Sequence, residues 1–282
     1  MRNALTFDVE DWLQSSYIKS AKVRDIVIKQ TSKVLEILNG AEIHATFFIQ
    51  GLIAEAFPQI VQEIDSLGHE IGTHGYAHEF VFQQTPQAFR DDLIKSIVLL
   101  EDIIGKKVIG YRAPDFSIIE RSLWALDILE QVGILYDSSI FPIKNRRYGI
   151  PNFRRSPHQI SGSSIIEFPL STLKIFSANL PVCGGGYFRL LPYTIIKYAL
   201  KRINTEGIPV IVYMHPYEFD ANELMQPLKE DESTKDKVFK FMQNLNRDKS
   251  ESKLYNLIRN FDFCPAMEVL NLDRRSKGKK AF

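Results

Sequence analysis

Two histidines stand four residues apart, at His74 and His78, in the stretch Gly68-His69-Glu70-Ile71-Gly72-Thr73-His74-Gly75-Tyr76-Ala77-His78. That spacing brings two imidazoles to one side of a helical turn or tight loop, where both can bind one cation. A third ligand has to come from elsewhere, and catalysis needs a coordination position left open for water or substrate. By itself an HxxxH pair more often decorates an exposed helix, so the partners supplied by the rest of the chain decide its meaning.

Those partners stand at the ends of predicted strands. Asp8-Val9-Glu10-Asp11 follows the first strand, Arg112-Ala113-Pro114-Asp115 the fourth, Asp137-Ser138-Ser139 the fifth, and His215-Pro216-Tyr217-Glu218 a late apolar strand. A carboxylate with two neutral histidines is a common catalytic set for zinc and related divalent ions such as cobalt. A second carboxylate, off the metal, can take the proton from a bound water. Asp8 and either Glu10 or Asp11 supply both; strand alternation puts Asp8 and Glu10 on one face, which favours Glu10 as ligand over Asp11. Arg112 can pair with the base and hold its orientation, and His215 is the candidate general acid for a leaving amine.

The elements that must position these groups read as strand and helix in alternation. Strands are expected at Ala4–Asp8, His44–Ile49, Glu70–Thr73, Val108–Tyr111, Ile134–Tyr136 and Ile208–Tyr213, with helices at Ile26–Leu38, Pro58–Ser66, from Pro86 to Gly105, at Ser122–Gln131 and at Pro192–Asn204. Pro142, Pro151, Pro157, Pro169 and Pro181 punctuate residues 141–186, which read as an inserted region of loops and hairpins. From Thr234 to Arg259 the pattern is helical, and a last short strand is expected at Met267–Leu270. Repeated strand-helix units with apolar strands predict an α/β fold, a distorted (β/α) barrel of about seven parallel strands with its chemistry on the loops after the strands. The expectation is one domain over residues 1–273 and a basic flexible tail at 274–282.

Composition excludes several classes. The 282 residues are 45% hydrophobic, and 35 lysines and arginines face 34 acids, so the net charge of +1 offers no case for nucleic-acid binding. Cys183 and Cys264 form neither a metal spacing nor a disulfide framework. The N-terminus meets Asp8 before any secretory apolar segment could develop, and no run is long enough for an integral membrane segment. The expected location is the cytosol, with a peripheral place at the inner membrane face as the minority reading of the basic tail.

Taken together, Thr6-Phe7-Asp8, Ala45-Thr46-Phe47-Phe48, Gly68-His69-Glu70-Ile71-Gly72-Thr73-His74 with His78, Arg112-Ala113-Pro114 and Tyr213-Met214-His215-Pro216 resemble the polysaccharide deacetylases with the NodB homology domain, carbohydrate esterase family 4. The likeness is greatest to the branch with the allantoinase-like and Helicobacter-type peptidoglycan deacetylases. The Asp8-Val9-Glu10-Asp11-Trp12 and Gly184-Gly185-Gly186-Tyr187-Phe188-Arg189 stretches are similar to deacetylases encoded with exopolysaccharide assembly genes. The resemblance implies a divalent metal, removal of acetate from an N-acetylated glycan or glycolipid precursor, Asp8 as base, His74 and His78 as ligands, Arg112 as the brace and His215 as acid. It also implies that Asp137 supports the catalytic histidine. Where the family commonly has two adjacent aspartates, Val9 follows Asp8, so Glu10 and Asp11 both stay open as the carboxylate ligand. Trp12, Tyr187 and Phe188 are candidates to line the sugar site. The competing readings are hydrolysis of a cyclic ureide and a catalytically inactive carbohydrate-binding barrel.

Overall fold

β1 (Asn3–Val9) is buried along its whole length, because it is paired on both edges and covered on both faces. The computed structural model describes residues 1–145, 147–225 and 233–272, so the basic tail at 274–282 lies outside the described residues. The remaining strands are β2 (Thr46–Ile49), β3 (Glu70–Thr73), β4 (Gly110–Tyr111), β5 (Tyr136–Asp137), β6 (His158–Gln159), β7 (Ile166–Glu167), β8 (Thr172–Ile175), β9 (Ala178–Pro181), β10 (Ile211–Met214) and β11 (Phe263–Cys264). The helices are α1 (Ile26–Asn39), α2 (Gly51–Ala56), α3 (Pro58–Ser66), α4 (Pro86–Ile104), α5 (Trp124–Gln131), α6 (Gly185–Leu190), α7 (Tyr193–Thr205), α8 (Thr234–Asn244), α9 (Ser250–Asn260) and α10 (Ala266–Val269).

The main sheet runs β10-β1-β2-β3-β4-β5-β7-β6, with β11 also paired to β1. Seven successive strands of it, from β10 to β7, are mutually parallel, and β6 closes the edge antiparallel. The result is a curled α/β half-barrel with the seven parallel strands of the distorted (β/α) barrel expected from the strand-helix alternation. Side chains alternate across it: Leu5, Phe7 and Val9 face the helices, packing with Val34, Ile60 and Leu200, while Ala4 joins Phe48, Tyr136, Phe168 and Tyr213 in a separate inner cluster. Thr6 and Asp8 share the parity of Ala4, so β1 turns them toward the concave side.

Local signals account for the helix boundaries. Thr85 caps α4 by accepting from the Ala88 amide, Pro86 occupies the first turn, and Gly105 ends the helix in the left-handed region at φ 67°. Three expectations need correction. Residues 141–186 are not wholly an insertion, because β7 within them pairs parallel to β5 as a strand of the barrel. The C-terminal helical stretch is two helices, α8 and α9, parted at Asn246 with φ 60°. Residues 266–269 are helical and not a strand; the final strand is β11, and Pro265 starts a helix instead of donating to a ladder.

That last turn is held by a buried carboxyl. Glu70 accepts from Thr46 Oγ1 (2.6 Å), Tyr136 Oη (2.8 Å) and the Met267 amide (3.1 Å), while the Ala266 amide donates to Thr46 Oγ1 at 2.8 Å. One side chain thus ties β2, β3, β5 and α10 together. Glu70→Ala is expected to lose about 3 kcal/mol in urea unfolding, at roughly 1 kcal/mol per bond and with buried donors left unpaired; a loss below about 1 kcal/mol would show that the network is not structural.

Candidate active site and metal centre

The parallel strands deliver their C-terminal ends to one rim. Asp8 lies within β1, and Glu10 follows it; His74 comes directly after β3, Arg112 after β4 and His215 after β10. Asp8, Glu10, His74, His78 and Arg112 are all almost completely buried. Asp8 and Glu10 line a cleft of about 270 Å³ with His74, His78 and His215.

His78 reaches its place through a loop, not a helix. Gly75 at φ 72° and His78 at φ 60° turn the chain through the left-handed region, and a Cβ on Gly75 would stand 3.1 Å from the Asp92 carboxylate. Asp92 on α4 holds the loop by accepting from the amides of Tyr76 (2.7 Å) and Ala77 (2.9 Å). The amides of Gly51 and Leu52, at the start of α2, donate to the carbonyls of Gly75 and Tyr76. α2 was not foreseen from sequence; its six residues are too few to show a period.

Glu10, His74 and His78 converge, with one donor atom from each lying within 4.8 Å of the others. Glu10 Oε2 is 3.4 Å from His74 Nε2 and in closer contact with His78 Nε2. His74 Nδ1–H donates to the Arg112 carbonyl at 2.9 Å, which leaves its Nε2 lone pair directed at Glu10. His78 Nε2 is buried and has no aligned hydrogen-bond partner despite its closeness to the carboxylate. Burial raises the Glu10 pKa, but His78, His74 and His215 more than offset it and hold Glu10 well below the usual carboxylate range. An ionised carboxylate, an orphaned imidazole nitrogen and a second free imidazole face are the donor set of a divalent metal centre, so the residues present fit such an ion.

Asp11 takes no part in this. Its carboxylate accepts from the Leu13 amide (3.0 Å), the Arg24 amide (2.8 Å) and the Arg24 guanidinium, which also reaches Glu223 at 2.6 Å. Of the two candidates left open by sequence, the structure brings Glu10 to the histidines and turns Asp11 to Arg24. Lys19 was missed altogether: its Nζ lies 3.0 Å from His78 Nδ1 and donates to the His78 carbonyl at 3.0 Å. Nothing in its local sequence marks it, because a loop 59 residues away brings the partner.

Asp8 is gripped by Arg112, which is fully buried. Arg112 Nη1 donates to Asp8 Oδ1 and Thr6 Oγ1, both at 2.7 Å, while Nε and Nη2 donate to the carbonyl (3.1 Å) and hydroxyl (3.0 Å) of Ser138. The guanidinium also sits 4.3 Å from the Phe48 ring. His215 Nε2 stands 3.9 Å from both Asp8 Oδ2 and Glu10 Oε1. Burial lowers the His215 pKa, but Glu218, Glu10 and Asp8 outweigh it and carry it up to about 9 in the metal-free chain, so the ring is protonated at neutral pH.

The carboxylate beside His215 is Glu218, not Asp137. Glu218 Oε2 accepts from the His215 amide (3.1 Å) and lies 3.4 Å from its Nδ1, and Arg189 Nε donates to Glu218 Oε1 at 3.1 Å. Asp137 instead accepts from Ser139 Oγ at 2.5 Å and is paired in register with Glu167 on β7. Asp137 Oδ2 and Glu167 Oε2 are both buried without a conventional partner, and two buried carboxylates side by side cannot both ionise. Burial, then Asp137, pushes Glu167 well up, so the shared proton stays on Glu167.

The aromatic candidates are also redistributed. Trp12 is buried beneath Tyr17 and Phe239, at 5.6 and 6.0 Å between ring centroids, and Phe188 belongs to the helix-side core. Tyr187 packs at the edge of the inner cluster. The cleft takes its aromatic lining from Phe116, Tyr148, Tyr213, Tyr217 and Phe239. Helical packing of α6 and the stack on Trp12 decided this, and neither is visible in local sequence.

A raised carboxyl pKa in the folded state contributes stability that is full below the unfolded pKa and lost as pH rises through the folded one. Glu167→Gln substitutes an amide N–H for the shared proton. Its melting temperature is therefore expected to gain on that of the wild type as pH rises from about 5 to about 8; a difference independent of pH would rule out the shared proton.

Residues 3–135 match the family profile described as polysaccharide deacetylase, and residues 138–271 match that of a domain of unknown function, DUF3473. The chain is 40% identical over 108 residues to the peptidoglycan deacetylase-like protein FGM2 of Gibberella zeae, covering 38% of this chain and 31% of that protein. It is 36% identical over 110 residues to the peptidoglycan deacetylase of Helicobacter pylori, covering 38% and 36%. The match therefore spans about a third of the length of these curated relatives. A solved structure from Mycobacterium smegmatis, assigned to the polysaccharide deacetylases, superposes with a TM-score of 0.63 at 19% identity, covering 99% of this chain and 92% of that one. At that identity the likeness concerns the fold. Residues 3–135 of the chain thus carry a polysaccharide deacetylase domain, just under half of its length.

Proposed function

We propose that the chain is a metal-dependent hydrolase that removes N-acetyl groups from an N-acetylhexosamine-containing glycan or its lipid-linked precursor. The observation that carries this reading is the convergence at one cleft of Glu10, His74 and His78 with the Arg112–Asp8 pair and His215. The polysaccharide deacetylase match over residues 3–135 supports the reaction class.

Glu10, His74 and His78 would hold the ion, with zinc the first to test and cobalt the second. Such an ion supplies polarisation of the amide carbonyl and a lowered pKa for water. Asp8, outside the ligand set, accepts the proton of the attacking water, and its orientation is set by Arg112 Nη1. His215 starts protonated and gives its proton to the departing amine; Glu218 and Arg189 hold the ring in place. The flanking aromatics Tyr148, Tyr213 and Phe239 suit the apolar faces of a pyranose ring.

The same reading makes residues 1–273 a single catalytic unit. β1, from the deacetylase-matched segment, pairs with β10, from the segment of unknown function, and β10 carries His215. Neither segment then owns a complete site.

Purified protein is expected to contain about one divalent ion per chain and His78→Ala essentially none, since a lost ligand removes most structural affinity. Asp8→Asn should keep the ion and lower kcat for acetate release from N-acetylglucosamine oligomers by about 10²–10⁴-fold. Metal content unchanged in His78→Ala, or full turnover in Asp8→Asn, would overturn the assignments. Ring opening of allantoin without acetate release would move the substrate to the cyclic ureides.

A further inference from the structure

The near-neutral total charge conceals an asymmetry. Between Ser138 and Thr205 the sequence has ten lysines and arginines but a single acid, Glu167, and that acid is buried against Asp137. The rest of the chain is correspondingly acidic. Exposed apolar residues coincide with this cationic stretch. In the β8–β9 hairpin Ile175 pairs with Ala178, which leaves Phe176 and Ser177 as a two-residue loop. Gly or Asn is expected at such a position, yet Phe176 occupies it at φ 52° and is 96% exposed. Ile175 and Leu180 beside it are also exposed, as is Lys174.

α7 continues this surface. It packs along β8 through Leu173, Ile196 and Leu200, and its outer face bears Ile195 and Tyr198 together with Lys201, while Arg202 pairs with Glu206 at 4.0 Å. An aromatic tip in water gains nothing from its exposure, and a polyanion in solution would satisfy only the lysines and arginines. A bilayer with anionic headgroups satisfies both: apolar side chains enter the acyl boundary while basic ones stay at the phosphates. We propose that the β8–β9 hairpin and the outer face of α7 form a docking surface for an anionic lipid bilayer. This assignment is independent of the deacetylase reading, since neither the hairpin nor the outer face of α7 contributes a residue to the cleft.

The test is flotation of the full chain with vesicles of phosphatidylcholine alone and of phosphatidylcholine with phosphatidylglycerol, at low and high salt. The wild type is expected to float with the anionic vesicles, far less with the neutral ones, and to be released by salt. Phe176→Ser is expected to lower the partition coefficient about tenfold, and Lys174→Glu combined with Lys201→Glu by at least about tenfold, at roughly fivefold per charge. Circular dichroism and metal content should be unchanged in both. The proposal is overturned if the wild type does not float with anionic vesicles, or if it binds dextran sulfate but no vesicle. It is equally overturned if flotation survives both variants and is instead lost in Phe241→Ser, which would move the contact to the exposed apolar side of α8.

Discussion

The structure depends most on a guanidinium buried where no water can reach it. Arg112 is 0% exposed, and a charge so placed is tolerable only if every direction it faces supplies an acceptor. Thr6 and Asp8 of β1 supply two, and Ser138, just after β5, supplies two more. Because these partners come from strands on either side of β4, the sheet must curl before Arg112 can be satisfied. The same curl brings the strand ends to one rim. Removing one partner of such a pair typically costs about 3–5 kcal/mol, so the residue that positions the proposed base is also a structural linchpin.

The backbone of Arg112 extends its influence to the metal centre. Its carbonyl accepts from His74 Nδ1 and so fixes which imidazole nitrogen faces Glu10. Asp8, in β1, and Glu10, just after it, are two residues apart and are drawn to different partners, one to a guanidinium and one to two histidines. Two carboxylates at the end of β1 are thereby prepared for different work by their environments alone. His215, beside both, gains positive charge from them and from Glu218, which suits a proton donor.

Acids inside the barrel divide into those that remain charged and those that do not. Glu218 stays ionised against burial because His215 and Arg189 face it. Among the described residues no cation offsets the burial of Glu167, and Asp137 beside it raises its pKa further, so it keeps a proton and serves as a donor. Burial pushes Glu70 up as well, although Thr46, Met267 and Tyr136 temper the shift. Glu70 and the Asp137–Glu167 pair stitch strands, and neither lies on the cleft. This explains how a residue at a strand end with the right chemistry, Asp137, can belong to the framework: its neighbour across the sheet, not its position at the rim, decides its role.

Much of this protein was determined by its sequence alone, because the signals are local. Period-two alternation and proline and glycine punctuation mark β1, β3, α3 and α4, and the types of Asp8, Glu10, His74, His78, Arg112 and His215 bespeak hydrolytic chemistry before any fold is known. What only the tertiary structure decided involves partners distant in sequence. Arg24 captures Asp11 and so leaves Glu10 to the histidines. β7 is a two-residue strand that counts only because β5 lies beside it. Trp12 is core because Tyr17 and Phe239 stack on it and Phe188 because α6 turns it into the helix-side cluster, whereas Lys19 reaches His78 across 59 residues. A side chain's chemistry is written in its own residue, but its environment is made by neighbours that long-range strand pairing brings together.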